Sequence, residues 1–217
     1  MTTTEDAVLA RFLERAESRL LLEPPAALHE GTHLPLHGDH AHNIDKSGLI
    51  PPGGGKPAAV LVPIVDRPEG ATVLFTRRST ALRNHSGQIA FPGGRIDDSD
   101  SGPLEAALRE AQEEIGLNRS AIEPLGYLDL YLTGSGYRIA PVVGRVSPGF
   151  ALVLNPDEVE DVFECPLAFL MNPANHLTEE REWRGSRRRA FAMPWQGHHI
   201  WGVTAGIVRQ LYERIYG

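Results

Sequence analysis

Near the start of the chain, apolar positions recur at three- and four-residue spacing: Val8, Leu9, Phe12, Leu13, Ala16 and Leu20. That period predicts an amphipathic helix over residues 5–22, halted at Glu23-Pro24-Pro25 because proline lacks the N–H a helix interior needs. From Ala26 to Lys56 no period survives and Gly, Pro and His are dense, so an arm or long loop is expected. Periodicity returns at "AAVLVPIV", residues 58–65, a mostly apolar run suited to a buried strand. "EGATVLFTRRS" repeats this after a Gly turn, which predicts a hairpin of 58–65 with 71–77. A loop with two adjacent glycines then leads into a helix from about Pro103 to Leu117, its core stripe formed by Leu104, Leu108, Ala111 and Ile115. Strands near 123–131 and 137–146 follow, then a short strand and helical turn in "DEVEDVFECPLAFLM". A strand pair in "REWRGSRRRAFAMPW" and an amphipathic helix in "VTAGIVRQLYERIY" close the chain. Strands on either side of a helix, with mixed spacing, indicate an α+β sandwich rather than a repeating βαβ fold. The expected division is a helix and His/Pro/Gly-rich arm over 1–55 and a main domain over 56–217.

Composition narrows the class. The 217 residues are 41% hydrophobic, enough for a real core, with a formal net charge of −7 that argues against nucleic acid as a bulk electrostatic partner. An anionic small substrate would need local Arg or Lys, or a metal ion, to be held. The single cysteine, Cys165, excludes an intramolecular disulfide and reads as a small buried residue in a reducing compartment. No basic stretch precedes an apolar run at the N-terminus, and no stretch approaches the roughly 18 apolar residues of a spanning helix, so a cytoplasmic protein with no membrane partner is expected. The arm's His29, His33, His37, His40 and His42, with Asp39, have the ligand chemistry for a transition metal. Without an ordering scaffold, however, they read as an exposed polar loop, one that could pack at a subunit contact.

The helix after the glycines carries an electrostatic puzzle. At 100° per residue, Glu110 and Glu114 lie about 40° apart and Glu113 about 60° to the other side of Glu110, roughly opposite Leu108. Like charges this close repel. Either the face is solvated, or a cation sits among carboxylates that are hard ligands of the kind Mg²⁺ and Mn²⁺ prefer. Gly93 and Gly94 allow backbone conformations closed to other residues, so a main-chain carbonyl could complete the coordination.

Residues 94–117 resemble the Nudix box, G-x5-E-x7-R-E-U-x-E-E-x-G-U, with U apolar. Gly94 and the run Arg109-Glu110-Ala111-Gln112-Glu113-Glu114-Ile115-Gly116-Leu117 match its ends. Asp100 stands where the first Glu belongs, with eight residues rather than seven between it and Arg109. The stretch "LFTRRSTALRNHSGQIAFPGG" further resembles the signature of the coenzyme A pyrophosphatase branch, L-L-T-x-R-S-x3-R-x3-G-x3-F-P-G-G. Thr76, Arg78, Ser79, Arg83, Gly87, Phe91, Pro92, Gly93 and Gly94 fall in place, Phe75 replaces a leucine, and the longer box is typical of that branch. The resemblance covers about residues 55–217 and leaves the arm outside it.

The resemblance implies an α/β/α sandwich with a mixed sheet and a Mg²⁺- or Mn²⁺-dependent diphosphatase. On coenzyme A or its derivatives such an enzyme yields 3′,5′-ADP and 4′-phosphopantetheine or its acyl form. The metal would be held by Glu110 and Glu114, with Glu113 sharing it and the Gly93 carbonyl completing the set. The general base would be Glu113 from the box, or Glu158 or Glu160 from "NPDEVEDVF". Arg109 would tie the helix carboxylates to the loop. Arg78 and Arg83 would orient the diphosphate or the 3′-phosphate, and Arg187 and Arg189, in the run 187–189 near Arg184, would contact the 3′-phosphate. Members of the family often pair, and the N-terminal helix could serve a homodimer; the sequence leaves the oligomeric state open. Two alternatives stay open: another substrate of the same reaction (NADH, ADP-ribose, a nucleoside triphosphate), and a Nudix fold that binds a metabolite without hydrolysing it.

Overall fold

A computed structural model describes residues 4–82, 84–183 and 185–217, with side chains from residue 8 onward. Helix α1 (Thr4–Arg19) leads through the arm, which carries the two-residue strand β1 (His37–Gly38), into β2 (Lys56–Val65) and β3 (Thr72–Arg78). Short strands β4 (Ile89–Ala90) and β5 (Gly93–Arg95) precede α2 (Pro103–Ile115), followed by β6 (Ile122–Tyr127), β7 (Tyr131–Leu132) and β8 (Tyr137–Val146). The remainder is β9 (Val159–Pro166), the turn α3 (Leu167–Leu170), β10 (Leu177–Trp183), β11 (Ser186–Trp195), β12 (His198–Trp201) and α4 (Gly202–Tyr216).

Strands β1 to β9 form one mixed sheet. Its centre is β2, parallel to β8 over its whole length from Lys56↔Tyr137 to Val65↔Val146. A strand flanked on both edges and covered on both faces has no polar side to show, which is why 58–65 reads as a nearly continuous apolar run. The expected hairpin exists, but only Ile64↔Val73 and Val65↔Thr72 pair; further along β3, Thr76 and Arg77 pair with β4, and β3 lies against β9 along its whole length. Two apolar cores sandwich the sheet. One packs Ala107, Leu108, Ala111 and Ile115 of α2 on Ala59, Leu61 and Val142. The other packs α1 and α4, through Phe12, Ala16, Val208 and Leu211, on Val62, Ile64 and Val143. The apolar stripe of α1 is thus used inside the protomer, with Phe12 fully buried. Strands β10, β11 and β12 make a separate antiparallel sheet. Cys165 is buried in the core, where loss of hydration pushes its thiol up to about 12. No helix among the described residues is long and apolar enough to cross a membrane.

The arm departs from the expected exposed loop. Leu28, His40 and Leu49 are buried, and β1 adds to the main sheet in parallel beside β7. The cause is Arg138 of β8, 1% exposed, whose guanidinium donates to the carbonyls of Gly54 (3.0 Å), Ala27 (3.1 Å) and His33 (2.7 Å). A buried cation demands acceptors, and three turns of the arm supply them.

Candidate active site

Helix α2 starts at Pro103, whose missing N–H costs nothing in a first turn. It stops where Gly116 turns left-handed (φ 68°) and donates its N–H to the Gln112 carbonyl. Along it, Glu110 and Glu114 project one turn apart toward β5. A Cβ on Gly94 would lie 2.4 Å from Glu110 Oε1, and one on Gly93 would lie 2.4 Å from the Ala59 carbonyl oxygen. The paired glycines therefore let β5 pass between β2 and the helix carboxylates. The Gly93 N–H donates to Glu114 Oε2 at 3.2 Å.

A third carboxylate comes from a distant turn. The Asn155 N–H donates to the Glu114 carbonyl (2.9 Å), the Ser79 N–H donates to the Glu158 carbonyl (2.8 Å), and Asn155 Nδ2 donates to Glu158 Oε1 (3.2 Å). Pinned in this way, Glu158 faces the helix. Carboxylate oxygens of Glu110, Glu114 and Glu158 lie within 4.8 Å of one another, and among the described residues no other His, Cys, Asp or Glu group has that spacing.

Glu114 is 2% exposed, and loss of hydration raises its carboxyl to about 8; the Gly93 amide and Arg78 oppose the rise, while Glu110 and Glu158 add to it. Glu110 is also raised by burial, with Arg109 opposing. Three hard donors, faced by Arg78 Nη1 at 3.7 Å from Glu114, fit a divalent cation.

Arg109 organises the rest of the box. Its Nε and Nη2 fork onto Asp100 (3.0 and 2.9 Å), Nη1 donates to Glu110 (3.0 Å) and Glu113 (3.1 Å), and Nη2 donates to the Arg95 carbonyl (3.2 Å). The shorter carboxylate at position 100 still reaches it. Glu113 stands outside the trio: its side chain is 55% exposed and rests on Arg109. One residue is 100° of helix, so a side chain adjacent to Glu114 cannot share its direction. The expected convergence of three box glutamates is corrected to two of them plus Glu158.

A cavity of about 620 Å³ opens on these carboxylates and is walled elsewhere by Asp39 and Leu49 of the arm and by Arg181, Trp183 and Trp201 of the small sheet. Arg78 lines it, its Nε buried without a hydrogen-bond partner. His85 also borders it, its Nδ1 2.9 Å from Gln88 Oε1. Arg187 is exposed and lies 3.9 Å from Glu180, away from the cavity; Arg189 borders the cavity but directs its Nε to Glu180 at 3.2 Å. Arg83 and Arg184 lie outside the described residues. Arg181 and Trp201 are additions that the motifs do not point to, although strand alternation through "LTEEREW" and "HHIW" carries the signal.

A sandwiched mixed sheet with a glycine-flanked acidic helix, opening on a cavity lined by arginines, is an arrangement suited to holding a cation beside an anionic substrate. Residues 55–186 match the family model described as the NUDIX domain. The chain belongs to this family and is a Nudix hydrolase, acting on nucleoside diphosphates linked to a further group X. Over 158 residues it is 42% identical to NudL of Escherichia coli, named as an uncharacterised Nudix hydrolase. NudL of Cronobacter sakazakii matches equally, and both matches cover 73% of this chain and 82% of the relative. Among solved structures, the Nudix hydrolase RenU of M. smegmatis aligns with a TM-score of 0.48 and 19% identity, over 72% of this chain and 83% of that one.

Proposed function

We propose that the enzyme hydrolyses the diphosphate of coenzyme A or its derivatives with Mg²⁺ or Mn²⁺, releasing 3′,5′-ADP and 4′-phosphopantetheine or its acyl form, in the cytoplasm. The observation that carries this reading is Arg78, a residue of the branch signature: it lines the cavity beside Glu114 with a guanidinium that makes no hydrogen bond among the described residues. A diphosphate oxygen is the acceptor it lacks.

Glu110 and Glu114 would hold the cation, which neutralises the diphosphate oxyanions and favours attack by water. Glu158 takes the proton from that water as the new P–O bond forms and the bridging P–O bond breaks, its carboxylate kept in line by Asn155. Arg109 holds Glu110 and the Asp100 loop in place, and Glu113 completes that brace. Arg78, with Arg83 of the same signature, orients the diphosphate. The test is product analysis by mass spectrometry after incubating coenzyme A, NADH, ADP-ribose and dGTP separately with enzyme and Mg²⁺ or Mn²⁺. Coenzyme A cleaved to the two stated products, fastest of the four, supports the reading; preferred cleavage of any other substrate refutes it.

A further inference from the structure

The small sheet sorts its arginines by face. Arg181 lies opposite Arg188, Glu180 opposite Arg189 and Glu182 opposite Arg187. Opposed residues share a face and successive residues alternate, so Arg187 and Arg189 stand with two glutamates on one side. Arg188 and Arg181 stand on the other. Arg188 is already engaged: it is buried, its guanidinium donating to the carbonyls of Asp45 and Ser47 and pairing with the Asp45 carboxylate, which fastens the arm.

Arg181 differs. Its guanidinium lies 4.2 Å over the Trp201 ring, Nε and Nη2 donate to Glu179 Oε2 (3.3 and 3.1 Å), and Nη2 lies 2.7 Å from His199 Nε2. Nη1 makes no hydrogen bond among the described residues. Glu179 is itself shared with His199 at 3.2 Å. Arg181 and Trp201 line the cavity that holds the three carboxylates, whereas Glu179 does not. A planar cation stacked on an indole and braced from behind keeps its orientation, and its open edge is suited to a phosphate.

We infer that Arg181 reads a second anionic group of the substrate, the phosphate on the ribose 3′ position, and so sets specificity for the phosphorylated coenzyme. This rests on the coenzyme A reading above. Coenzyme A carries that phosphate in the same molecule as its diphosphate; dephospho-coenzyme A, NADH and ADP-ribose lack it. Arg181 thereby takes the part that sequence alone gives to Arg187 and Arg189.

The test compares wild type, R181A and R181K for kcat and KM on coenzyme A and dephospho-coenzyme A, and for inhibition by 3′,5′-ADP and 5′-AMP. Loss of charge-assisted hydrogen bonds predicts that R181A raises KM for coenzyme A and Ki for 3′,5′-ADP about 10- to 100-fold, with kcat, dephospho-coenzyme A and 5′-AMP within about twofold. R181K, keeping the charge without the fork, falls between. Equal shifts for both coenzymes, or no shift for either, would overturn the assignment and leave the coenzyme A reading standing. Wild type that cleaves ADP-ribose but neither coenzyme would instead sink the coenzyme A reading. In that case the inhibitors still decide: an unchanged Ki for 3′,5′-ADP in R181A rules Arg181 out.

Discussion

Replacing Glu114 by Gln isolates the electrostatic strain of the metal-free site. The side chain is 2% exposed, and its carboxyl is raised from an ordinary 4.5 to about 8, mainly by loss of hydration. A carboxyl raised on folding binds its proton more tightly in the folded state, so its contribution to stability is complete below pH 4.5 and is lost as pH rises toward 8. At pH 7, about 2.5 pH units above the ordinary value, the loss is about 3 kcal/mol at 1.36 kcal/mol per unit. The substituting glutamine has the same shape as the carboxylic acid and no proton to lose. In EDTA the variant should match wild type near pH 4.5 and exceed it at pH 8 by about 4 kcal/mol, a melting gap of about 8–16 °C for a chain of this size. Comparing the two proteins cancels every other titrating group they share. Adding Mn²⁺ at pH 8 should raise the wild-type melting temperature and leave E114Q nearly unmoved, with activity lost in the variant. A constant difference between metal-free wild type and E114Q from pH 4.5 to pH 8, or equal stabilisation of both by Mn²⁺, would show that Glu114 carries no such strain.

Other substitutions probe the frame. Changing Gly94 to Ala places a Cβ 2.4 Å from Glu110 Oε1, at the mobile end of a side chain. Steady-state kinetics should show kcat lower by about 100-fold, as expected for a catalytic group displaced by about 1 Å, while thermal unfolding is little changed. Changing Arg138 to Ala strips three arm carbonyls of their buried donor. Urea unfolding should show a loss of about 3–5 kcal/mol, and hydrogen exchange should rise across residues 27–54 before the central sheet opens.

The box is legible because its residues are contiguous: a run of nine fixes the helix, its left-handed end at Gly116 and the placement of Glu110 and Glu114. Strand β2 is equally plain, since burial on both faces leaves an unbroken apolar signature. What the sequence leaves open depends on pairings remote along the chain. Glu158 can be offered as a base, but only the bonds from Ser79 and Asn155 bring it onto the trio. The arm looks unstructured because its order comes from Arg138, more than a hundred residues from Ala27 and His33, and not from any period of its own. The arginine run reads as one basic spot, whereas the register of β10 against β11 divides it between two faces, and the cavity is lined by Arg181 as well as by Arg188 and Arg189. Proximity groups Glu113 with its neighbours; a single step of helix rotation turns it onto Arg109 instead.

If a divalent cation belongs among Glu110, Glu114 and Glu158, anomalous diffraction at the manganese edge from crystals grown with Mn²⁺ will locate it. A peak is expected about 2.0–2.3 Å from carboxylate oxygens of Glu110 and Glu114, with Glu158 in the same cluster. A peak held by other residues, or density showing these carboxylates turned away from one another with no ion between them, would contradict this placement.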